Sequence, residues 1–413
     1  MISPDKQEIL TRVGPGAQMG ELLRRYWHPV AAETELARQS TKRVRLLCEN
    51  LVLFRDAMGA LGLLEEQCPH RGASLAQGCV ESDGVRCPYH GWKFDVRGTC
   101  LETPIEPPDS GLKDRVRAKS YRAEALGGLI FAYLGPEPAP LLPRFDLFVW
   151  DNALRDIGQA MLPCNWLQIM ENSMDPHHVE WLHGRYFASL RRTSGREGPL
   201  PYGKRHLKIG FDPFKYGIIK RRVLEGGSED DDDWKVGHPV VFPSMLRVGA
   251  HWEHCFQIRV PVDDTHTWHL WYTCYRPEGA VEAPHQESIP LYDVPWRDEN
   301  GDFIVDFVDG QDIMATVTQG AIADRTREHL GSSDAGVAMY RRLLLEQIEK
   351  VRRGEDPMGV IRDPAENALI TLPQESKKYG DDRGFRLEAL ELGYTRHSPI
   401  KNQVRKLFEA DRG

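Results

Sequence analysis

The stretch from Cys68 to Trp92, CPHRGASLAQGCVESDGVRCPYHGW, constrains the fold of this chain more than any other feature. It contains two short pairs of metal-ligating side chains, one in Cys68-Pro-His70 and the other in Cys87-Pro-Tyr-His90. The proline in each pair favours a tight turn. We therefore predict two hairpins whose tips face each other and enclose a metal centre between the four side chains.

Two kinds of metal centre are compatible with these pairs. A structural zinc ion could take two thiolates and two imidazoles, although zinc motifs usually place the cysteines together and the histidines together. Here each turn offers one cysteine and one histidine. This arrangement favours a two-iron, two-sulfide cluster with both thiolates on one iron and both imidazoles on the other. Cys79 lies outside both turns, and we predict that it is a small packed thiol.

The size and charge of the chain limit its class. It has 413 residues, more than the roughly 250–300 at which a single core stops growing, so we predict two domains. Its formal net charge is -8, and it lacks the basic footprint of a nucleic-acid-binding protein. The longest apolar stretches, such as LGGLIFAYLG, are too short to span a bilayer. We therefore expect neither nucleic acid nor a membrane as the main partner.

The sequence also predicts a reducing compartment. The first residues, MISPDKQEIL, lack the basic region and apolar stretch of a signal peptide. Eight cysteines are too few for a disulfide scaffold in a chain of this length. We expect a cytoplasmic protein whose paired cysteines and histidines are available to bind metal.

Changes in sequence pattern predict the organisation of the chain. Residues 6–27, which include MGELLRRYW, show the apolar spacing of a helix. Short apolar runs from about 43 to 134 alternate with Gly, Asp and Asn turns, as in a small antiparallel β domain. The prolines of GPEPAPLLPRFD suit a stiff connector and place a boundary near 140–146. The predicted division is an N-terminal helical segment at 1–42, the β domain at 43–145, a catalytic domain at 146–395 and a polar C-terminal tail at 396–413.

The stretch ENSMDPHHVEWLHG predicts a second site. His178 and His183 are five residues apart, which on an ideal α-helix places them about 140° away from a shared face. They can bind one metal only if the helix is distorted, and Pro176 or a local π-bulge would supply the distortion. Asp175 lies three residues before His178, so its carboxylate can accept a hydrogen bond from the far nitrogen of that imidazole. The alternative is a surface helix with scattered histidines.

Both constellations resemble motifs of one enzyme family, the Rieske non-heme iron oxygenases. CPHRGASL…CPYHGWKFD resembles the Rieske motif of the ring-hydroxylating and demethylating members. This resemblance implies a [2Fe-2S] cluster held by Cys68, His70, Cys87 and His90. The pattern Asn-x-x-Asp-x-x-His-x-x-x-x-His resembles the mononuclear iron motif of the same family, and it maps onto Asn172, Asp175, His178 and His183.

The third iron ligand of this family is an aspartate well downstream. It completes a 2-His-1-carboxylate triad, which leaves positions on Fe(II) open for dioxygen. The segment QDIMATVTQGAIADRTREHLGSSD resembles the corresponding part of the phthalate-dioxygenase branch and implies that the ligand is Asp312. Asp309 and Asp306 are rival candidates, because spacing alone does not separate the three.

The resemblance extends from LTRVGPGAQMGELLRRYWHPVA through both motifs to about residue 350. It implies an α+β protein with an N-terminal antiparallel β Rieske domain and a helix-grip catalytic domain, in which helices pack on an antiparallel sheet. It also implies a homotrimer or a dimer of trimers in which the cluster of one subunit supplies electrons to the mononuclear iron of the next subunit. Asp175 would then bridge His178 to His90 of an adjacent chain.

The family also implies an activity. A separate reductase, with or without a ferredoxin, takes electrons from NADH to the cluster, and dioxygen is the cosubstrate. NWLQIMENSMDPHHVEWLHG and FQIRVPVDDTHTWHLWY are most similar to the dehydrodivanillate O-demethylases, which release formaldehyde from methoxylated, lignin-derived biaryl acids. The alternative is cis-dihydroxylation of a phthalate- or chlorobenzoate-type acid. Both activities imply an aromatic carboxylate as the substrate.

Hypotheses from other classes are a Rieske electron carrier with a non-catalytic second domain and a zinc-binding interaction module. If the substrate is a carboxylate, a buried Arg or Lys should meet it, and Arg is favoured for its bidentate geometry. Each basic residue that follows the second motif is either such a partner or an exposed surface charge; the candidates are Arg191, Arg192, Lys220, Arg221 and Arg222.

Overall fold

The computed structural model describes residues 1–195, 200–250, 252–277, 281–375 and 389–410. The chain divides into two compact units. The larger unit comprises Met1–Arg12, Arg144–Gly359 and Ala368–Gly413, and the smaller unit comprises Val13–Pro143 and Val360–Asn367. The domain bounds drawn from the sequence stay a prediction.

The smaller unit consists mainly of β-strands. Helix α1 (Pro4–Thr11) belongs to the larger unit, and the smaller unit then contributes α2 (Gln18–Leu23) and α3 (Glu33–Arg38). Its strands are β1 (Trp27–Ala32), β2 (Thr41–Leu46), β3 (Glu49–Arg55), β4 (Leu61–Glu65), β5 (Cys79–Glu81), β6 (Gly84–Arg86), β7 (Lys93–Phe94), β8 (Cys100–Glu102), β9 (Ser120–Leu126) and β10 (Leu129–Tyr133). Single 3₁₀ turns lie at Leu75–Gln77 and Lys113–Arg115.

These strands form two antiparallel sheets. Their strand orders are β1-β10-β9-β4-β3-β2 and β5-β6-β7-β8. Phe54 and Leu64 of the first sheet pack in one apolar cluster with Val85 and Phe94 of the second. Burying these large side chains is what stabilises the small sheet, whose strands are too short to be stable alone.

The larger unit is built around a sheet of eight strands. They are β11 (Leu154–Leu162), β12 (His206–Phe214), β13 (Gly217–Leu224), β14 (His238–Val241), β15 (Met245–Ala250), β16 (Glu253–Asp263), β17 (His266–Tyr275) and β18 (Leu291–Asp293). Their order is β12-β13-β14-β15-β16-β17-β11-β18, and the pairing is antiparallel except between β11 and β18. The predicted α+β class is confirmed.

Helices of the same unit pack against this sheet. They are α4 (Asp146–Val149), α5 (Trp166–Met174), α6 (Phe187–Thr193), α7 (Asp232–Lys235), α8 (Val308–Val317), α9 (Ala335–Arg352) and α10 (Lys401–Ala410). A π-helix spans Val179–Tyr186, and 3₁₀ turns lie at Pro201–Gly203, Ser332–Asp334 and Tyr394–His397. Helix α5 contacts β16, α8 and α9, so it lies at the centre of the unit.

One face of β16 and β17 lies opposite helices α5 and α8. Gln257 pairs with Trp271 across the two strands, and Arg259 pairs with His269. Residues that are two apart along a strand, or directly opposite each other across strands, project from the same face of a sheet. All four side chains therefore point to one side, where they line a cavity with residues of α5 and α8.

Sequence expectations at the two ends of the chain were wrong. The helix expected at 6–27 is two short helices, α1 and α2, because Gly-Pro-Gly separates them and Gly16 has a φ of +81°, which favours glycine. The segment expected to be a polar tail contains α10. Three buried side chains at helical spacing attach α10 to the core: Val404, Leu407 and Phe408.

Candidate metal centres and substrate cavity

The two Cys-Pro turns of the smaller unit have the same backbone structure. In each turn the cysteine N–H donates to the carbonyl five residues ahead, and the cysteine carbonyl accepts from the glycine four residues ahead. The bonds are Cys68 N to Ala73 O (2.8 Å), Gly72 N to Cys68 O (2.9 Å), Cys87 N to Trp92 O (2.8 Å) and Gly91 N to Cys87 O (3.1 Å). Both glycines have positive φ, +73° and +75°. The histidine is the third residue of one turn and the fourth of the other.

The two turns bury both cysteines and leave both histidines partly exposed. Cys68 and Cys87 are each only 2% exposed, whereas both histidines are half-buried. Burial, with the Cys87 thiol alongside, raises the pKa of Cys68 to about 11. The rings of His70 and His90 are 4.5 Å apart, and His70 stacks on Trp92 at 4.4 Å. Thiols inside and imidazoles outside fit a two-iron cluster of mixed ligation.

A single zinc ion fits these turns less well. One tetrahedral ion would hold all four ligand atoms within about 4 Å of one another. Among the residues that the structure describes, no three of these four side chains bring ligand atoms within 4.8 Å. The prediction for Cys79 was wrong: its side chain is exposed. Strand β5, on which it lies, is at the edge of its sheet and is too short to bury both faces.

The second site begins where helix α5 ends. The helix starts at Asn165, whose side chain accepts a hydrogen bond from Leu167 N at 3.1 Å. It stops at Asp175, which has an extended backbone because Pro176 follows it. The chain then continues as the π-helix, with His178 at its start. Bonding from i to i+5 brings residues five apart onto one side, so the distortion that the two histidines require is present.

The two histidines meet the side chain of Asp312 on helix α8. The Nε2 atoms of His178 and His183 lie 3.6 and 3.2 Å from Asp312 Oδ1. The three side chains offer ligand atoms that all lie within 4.8 Å of one another. Two imidazoles and one carboxylate are the donor set of non-heme Fe(II) oxygenases, so these residues fit a mononuclear iron.

The rival aspartates have other partners. Asp309 is buried, and its carboxylate accepts from Trp271 Nε1 and Tyr394 N, both at 2.9 Å. Asp306 is 60% exposed and pairs with Arg396 at 2.9 Å. The geometry therefore favours Asp312 as the third ligand.

Electrostatics keep Asp312 ionised. Burial opposes its charge, but His183, His178 and a hydrogen bond from Asn172 outweigh burial and lower the pKa of Asp312 to about 2. Burial and the charge of Asp312 together raise the pKa of Asp309 to about 6. Burial lowers the pKa of His178. An ionised carboxylate and a neutral imidazole are the forms that bind metal.

Hydrogen bonds orient the three side chains. His183 Nδ1 lies 2.9 Å from Gln311 Oε1, so Nε2 faces Asp312. His178 Nδ1 lies 2.6 Å from the main-chain oxygen of Asp175 and 3.9 Å from its carboxylate. The expected carboxylate bond is therefore made by the carbonyl instead, because the Asp175 carboxylate accepts from the N–H of His177 at 2.7 Å. Gln311 was missed in the sequence, although it directly precedes Asp312.

A cavity lies beside Asp312, and the empty space between its lining atoms, counted together with the part that is open to solvent, is about 270 Å³. It is lined by Leu162, Ile169, Asn172, Gln257, Arg259, His269, Trp271, Asp309, Asp312, Ile313 and Thr316. None of the five basic residues proposed as carboxylate partners belongs to this described lining. Lys220 donates to the Ser173 carbonyl, and Arg222 pairs with Asp233. Sequence analysis missed Arg259, whose strand pattern resembled ordinary core packing.

Comparison with known proteins identifies chains that are similar to this one over most of its length. The model of the Rieske [2Fe-2S] domain matches residues 26–122, and the LigXa C-terminal domain like model matches residues 297–388. The chain is 46% identical over 376 residues to the 5,5'-dehydrodivanillate O-demethylase oxygenase subunit of Sphingobium sp. (strain SYK-6), covering 90% of this chain and 87% of that one. It is 32% identical to the phthalate 4,5-dioxygenase oxygenase subunit of Pseudomonas putida, covering 87% and 89%.

Solved structures support the fold. The terminal oxygenase of carbazole 1,9a-dioxygenase from Nocardioides aromaticivorans IC177 superposes with a TM-score of 0.60 at 19% identity, covering 84% of this chain and 98% of that one. The chain belongs to the Rieske non-heme iron oxygenases and is an oxygenase subunit of this family. The hypotheses of a non-catalytic electron carrier and of a zinc module are therefore set aside.

Family membership defines the chemistry in general terms. The enzyme uses a [2Fe-2S] Rieske cluster, a mononuclear iron and dioxygen, with electrons from a separate reductase component. The donor sets described above fit both metal groups. In the part of the chain that the structure describes, no helix is both long and apolar enough to cross a membrane.

Proposed function

We propose that this subunit O-demethylates a methoxylated aromatic acid, most specifically a lignin-derived biaryl. The observation that carries the proposal is 46% identity across 90% of the chain to a 5,5'-dehydrodivanillate O-demethylase oxygenase subunit. The main alternative is cis-dihydroxylation of a phthalate- or chlorobenzoate-type acid. It is favoured by the similarity to oxygenase subunits named for phthalate 4,5-dioxygenase and 3-chlorobenzoate-3,4-dioxygenase.

The proposed reaction balances with the known inputs. One oxygen atom of O2 is inserted into a C–H bond of the methoxy group, and the other leaves as water. NADH supplies two electrons through the reductase, and two protons come from NADH and solvent. The hemiacetal that results breaks the bond between the phenolic oxygen and the former methyl carbon, and its hydroxyl proton passes to that oxygen, which releases a phenol and formaldehyde.

The residues in the two sites take separate roles in this proposal. Both cysteines, Cys68 and Cys87, would hold one iron of the cluster, and His70 and His90 the other. The mononuclear iron, which supplies the activation of dioxygen, would be held by His178, His183 and Asp312. Asn172 Nδ2 lies 3.2 Å from Asp312 Oδ1, and this contact would keep the carboxylate oriented. The protein otherwise contributes a pocket and substrate orientation.

Assembly is also part of the proposal. We propose a homotrimer, alone or paired as a dimer of trimers, in which Asp175 bridges the two centres: its carbonyl contacts His178 of its own chain, and its carboxylate contacts His90 of the adjacent subunit. The Asp175 side chain is 29% exposed, so its carboxylate has an accessible side in the single chain. Light scattering should give the mass of three or six chains. Asp175→Asn should slow electron transfer from reduced cluster to iron and leave both metal contents unchanged. A monomer with wild-type activity would contradict this.

Formaldehyde release is the decisive test of the reaction. The purified holoenzyme, a phthalate-type reductase and NADH would be supplied with 5,5'-dehydrodivanillate, vanillate and their demethylated counterparts. Formaldehyde in step with NADH loss is expected from the methoxylated acids alone.

The same assay separates the alternative. Consumption of NADH without formaldehyde, together with two labelled oxygen atoms from 18O2 in a ring diol, would establish dihydroxylation. Phthalate and 3-chlorobenzoate are the substrates to try in that arm.

We also propose a cytoplasmic location, which fractionation of the native cells would test.

A further inference from the structure

The cavity beside Asp312 contains two buried polar side chains with unused hydrogen-bonding groups. Arg259 is 2% exposed, and its terminal nitrogens donate to the Gln257 carbonyl at 2.9 Å and to Gln257 Oε1 at 2.6 Å. Its Nε has no hydrogen-bond partner among the residues that the structure describes. His269 is 5% exposed, and within the described part of the chain neither ring nitrogen has a hydrogen-bond partner. Buried polar groups in native proteins are rarely left unpaired, because desolvation is costly.

The two side chains are placed to act together. Arg259 and His269 are directly opposite each other on β16 and β17, so their side chains leave the same face of the sheet. Both line the cavity that Asp312 and Asn172 line from the helical side. The His269 ring stacks on Trp271 at 4.2 Å, which holds it in position.

The charge of this pair matches an anion. Burial lowers the pKa of Arg259 to about 10, so the guanidinium remains protonated at neutral pH. Burial and the charge of Arg259 lower the pKa of His269 well below its usual value, so that ring is neutral and has one N–H to donate. Among the described residues, no carboxylate forms an ion pair with Arg259.

We propose that Arg259 and His269 bind the carboxylate of the aromatic acid. Arg259 Nε–H donates to one carboxylate oxygen, and the His269 N–H donates to the other. The ring of the acid then lies among Leu162, Ile169 and Ile313, on the way from the sheet to Asp312. This inference rests on the proposed function, because it takes an aromatic acid to be the substrate. It places the partner of the substrate carboxylate on strands β16 and β17, and not among the five basic residues between 191 and 222.

Binding without turnover tests the assignment. Anaerobic calorimetry would use the oxidised holoenzyme without reductase. The probes are 5,5'-dehydrodivanillate, vanillate, phthalate and 3-chlorobenzoate, each with its uncharged carboxamide. The wild type should prefer an acid to its carboxamide. Arg259→Met should weaken acid binding about 10- to 100-fold, the range for a hydrogen bond to a charged group, and leave carboxamide binding unchanged.

Two further variants test the same site with smaller changes to the packing, so that a folding defect in Arg259→Met would not decide the result. Gln257→Glu is nearly isosteric and places a resident carboxylate on Arg259, so it should weaken acid binding by competition. His269→Phe keeps the stacking on Trp271 and should cost about 3- to 10-fold, as for one neutral donor. The matched control is Arg342→Met, since that arginine is 70% exposed on α9. The visible spectrum of the cluster would report that each variant is folded.

The outcomes separate this inference from the proposed function. Equal affinity for acid and carboxamide in the wild type, unchanged affinity in both Arg259→Met and Gln257→Glu, or no binding of any acid would each overturn it. If formaldehyde is released but the affinity for the acid does not depend on Arg259, the proposed function stands and the proposed carboxylate subsite is wrong. If acid binding requires Arg259 and no formaldehyde appears, the subsite stands and the reaction is wrong.

Discussion

The two metal-binding regions of this chain are built in different ways. In the smaller unit, each cysteine and histidine pair lies within one five-residue turn, and both turns repeat the same pair of backbone hydrogen bonds. In the larger unit, two histidines on a π-helix meet an aspartate from α8 that is more than a hundred residues away in sequence. The first site is made by local turns, and the second by the packing of distant elements.

Because of this difference, we expect the two metal sites to respond differently to substitutions elsewhere in the chain. A turn whose geometry is fixed by a proline and a positive-φ glycine tolerates changes elsewhere in the chain. A site assembled from separate helices depends on the length and twist of each helix and on residues behind the ligands. The predictions below test that contrast, from the largest expected effect to the smallest.

The largest effect should come from removing one proposed ligand in each region. Asp312→Ala should abolish product formation, by about 10³-fold or more, because loss of an outer-shell partner alone costs about 10- to 100-fold. The EPR signal of the reduced cluster should not change. Cys87→Ala should eliminate that signal together with activity. Iron analysis would measure the metal content, EPR the reduced cluster, and product assays the activity.

Cys79→Ala is the matched control for the cysteine variant, since that thiol is exposed and outside both turns. It should retain the cluster and turnover. A Cys87→Ala protein with an intact Rieske spectrum would rule out the assignment of that ligand, and an active Asp312→Ala enzyme would rule out the other.

Inserting an alanine after Trp181 should be nearly as damaging. Trp181 is 63% exposed, so an insertion there disturbs little of the core, but it places His178 and His183 six residues apart. Residues six apart lie about 120° away from a shared face on an α-helix, and the π-helix no longer matches their spacing, so the iron should be lost while the cluster remains. Substitution Trp181→Ala should leave iron content and turnover close to wild type. Equal effects of insertion and substitution would show that the spacing of the histidines along the π-helix does not set the geometry.

Gln311→Leu should have an intermediate effect. The Gln311 amide oxygen orients His183 through its Nδ1 at 2.9 Å, so we expect about a 10- to 100-fold loss in iron affinity or turnover. Added Fe(II) should restore part of the activity. Gln319→Leu is the control, because that side chain is exposed in the turn just after α8. Wild-type iron affinity in Gln311→Leu would show that packing alone orients the histidine.

Asp156→Asn should have the smallest effect, and it depends on pH. Burial raises the pKa of Asp156 to about 7 despite hydrogen bonds from Ser398 and Tyr275. Its ordinary pKa is about 3.9, so the folded state holds the proton more tightly than the unfolded state. Stability from this group is complete below pH 4 and is lost as the pH rises to about 7.

The Tm of the wild type should therefore fall between pH 5 and pH 8 by about 2–8 °C more than that of Asp156→Asn. Asp230→Asn is the control, since that side chain is 88% exposed. Parallel Tm curves for wild type and Asp156→Asn would mean that Asp156 is ionised in the folded protein.

Much of the architecture could be predicted from the sequence because its signals are local. The Cys-Pro pairs and their spacing predicted the cluster turns, and the short alternating runs predicted the β domain. Pro176 between Asp175 and the histidines predicted the break in the helix. Where the prediction was wrong, as at 6–27, the deciding signal was also local: Gly14-Pro15-Gly16 ends the first helix despite the apolar spacing on either side of it.

What the sequence by itself determined is the set of groups that follow one another within a turn: two thiol and imidazole pairs, and two histidines that need a distorted helix. Only the tertiary structure decided which aspartate faces them, that Gln311 orients one of them, and that the Asp175 carbonyl orients the other. The same holds for Arg259 and His269, which are ten residues apart in sequence and opposite each other across two strands. The physical reason is range: turn geometry depends on neighbouring residues, whereas burial and unpaired polar groups depend on how distant segments pack.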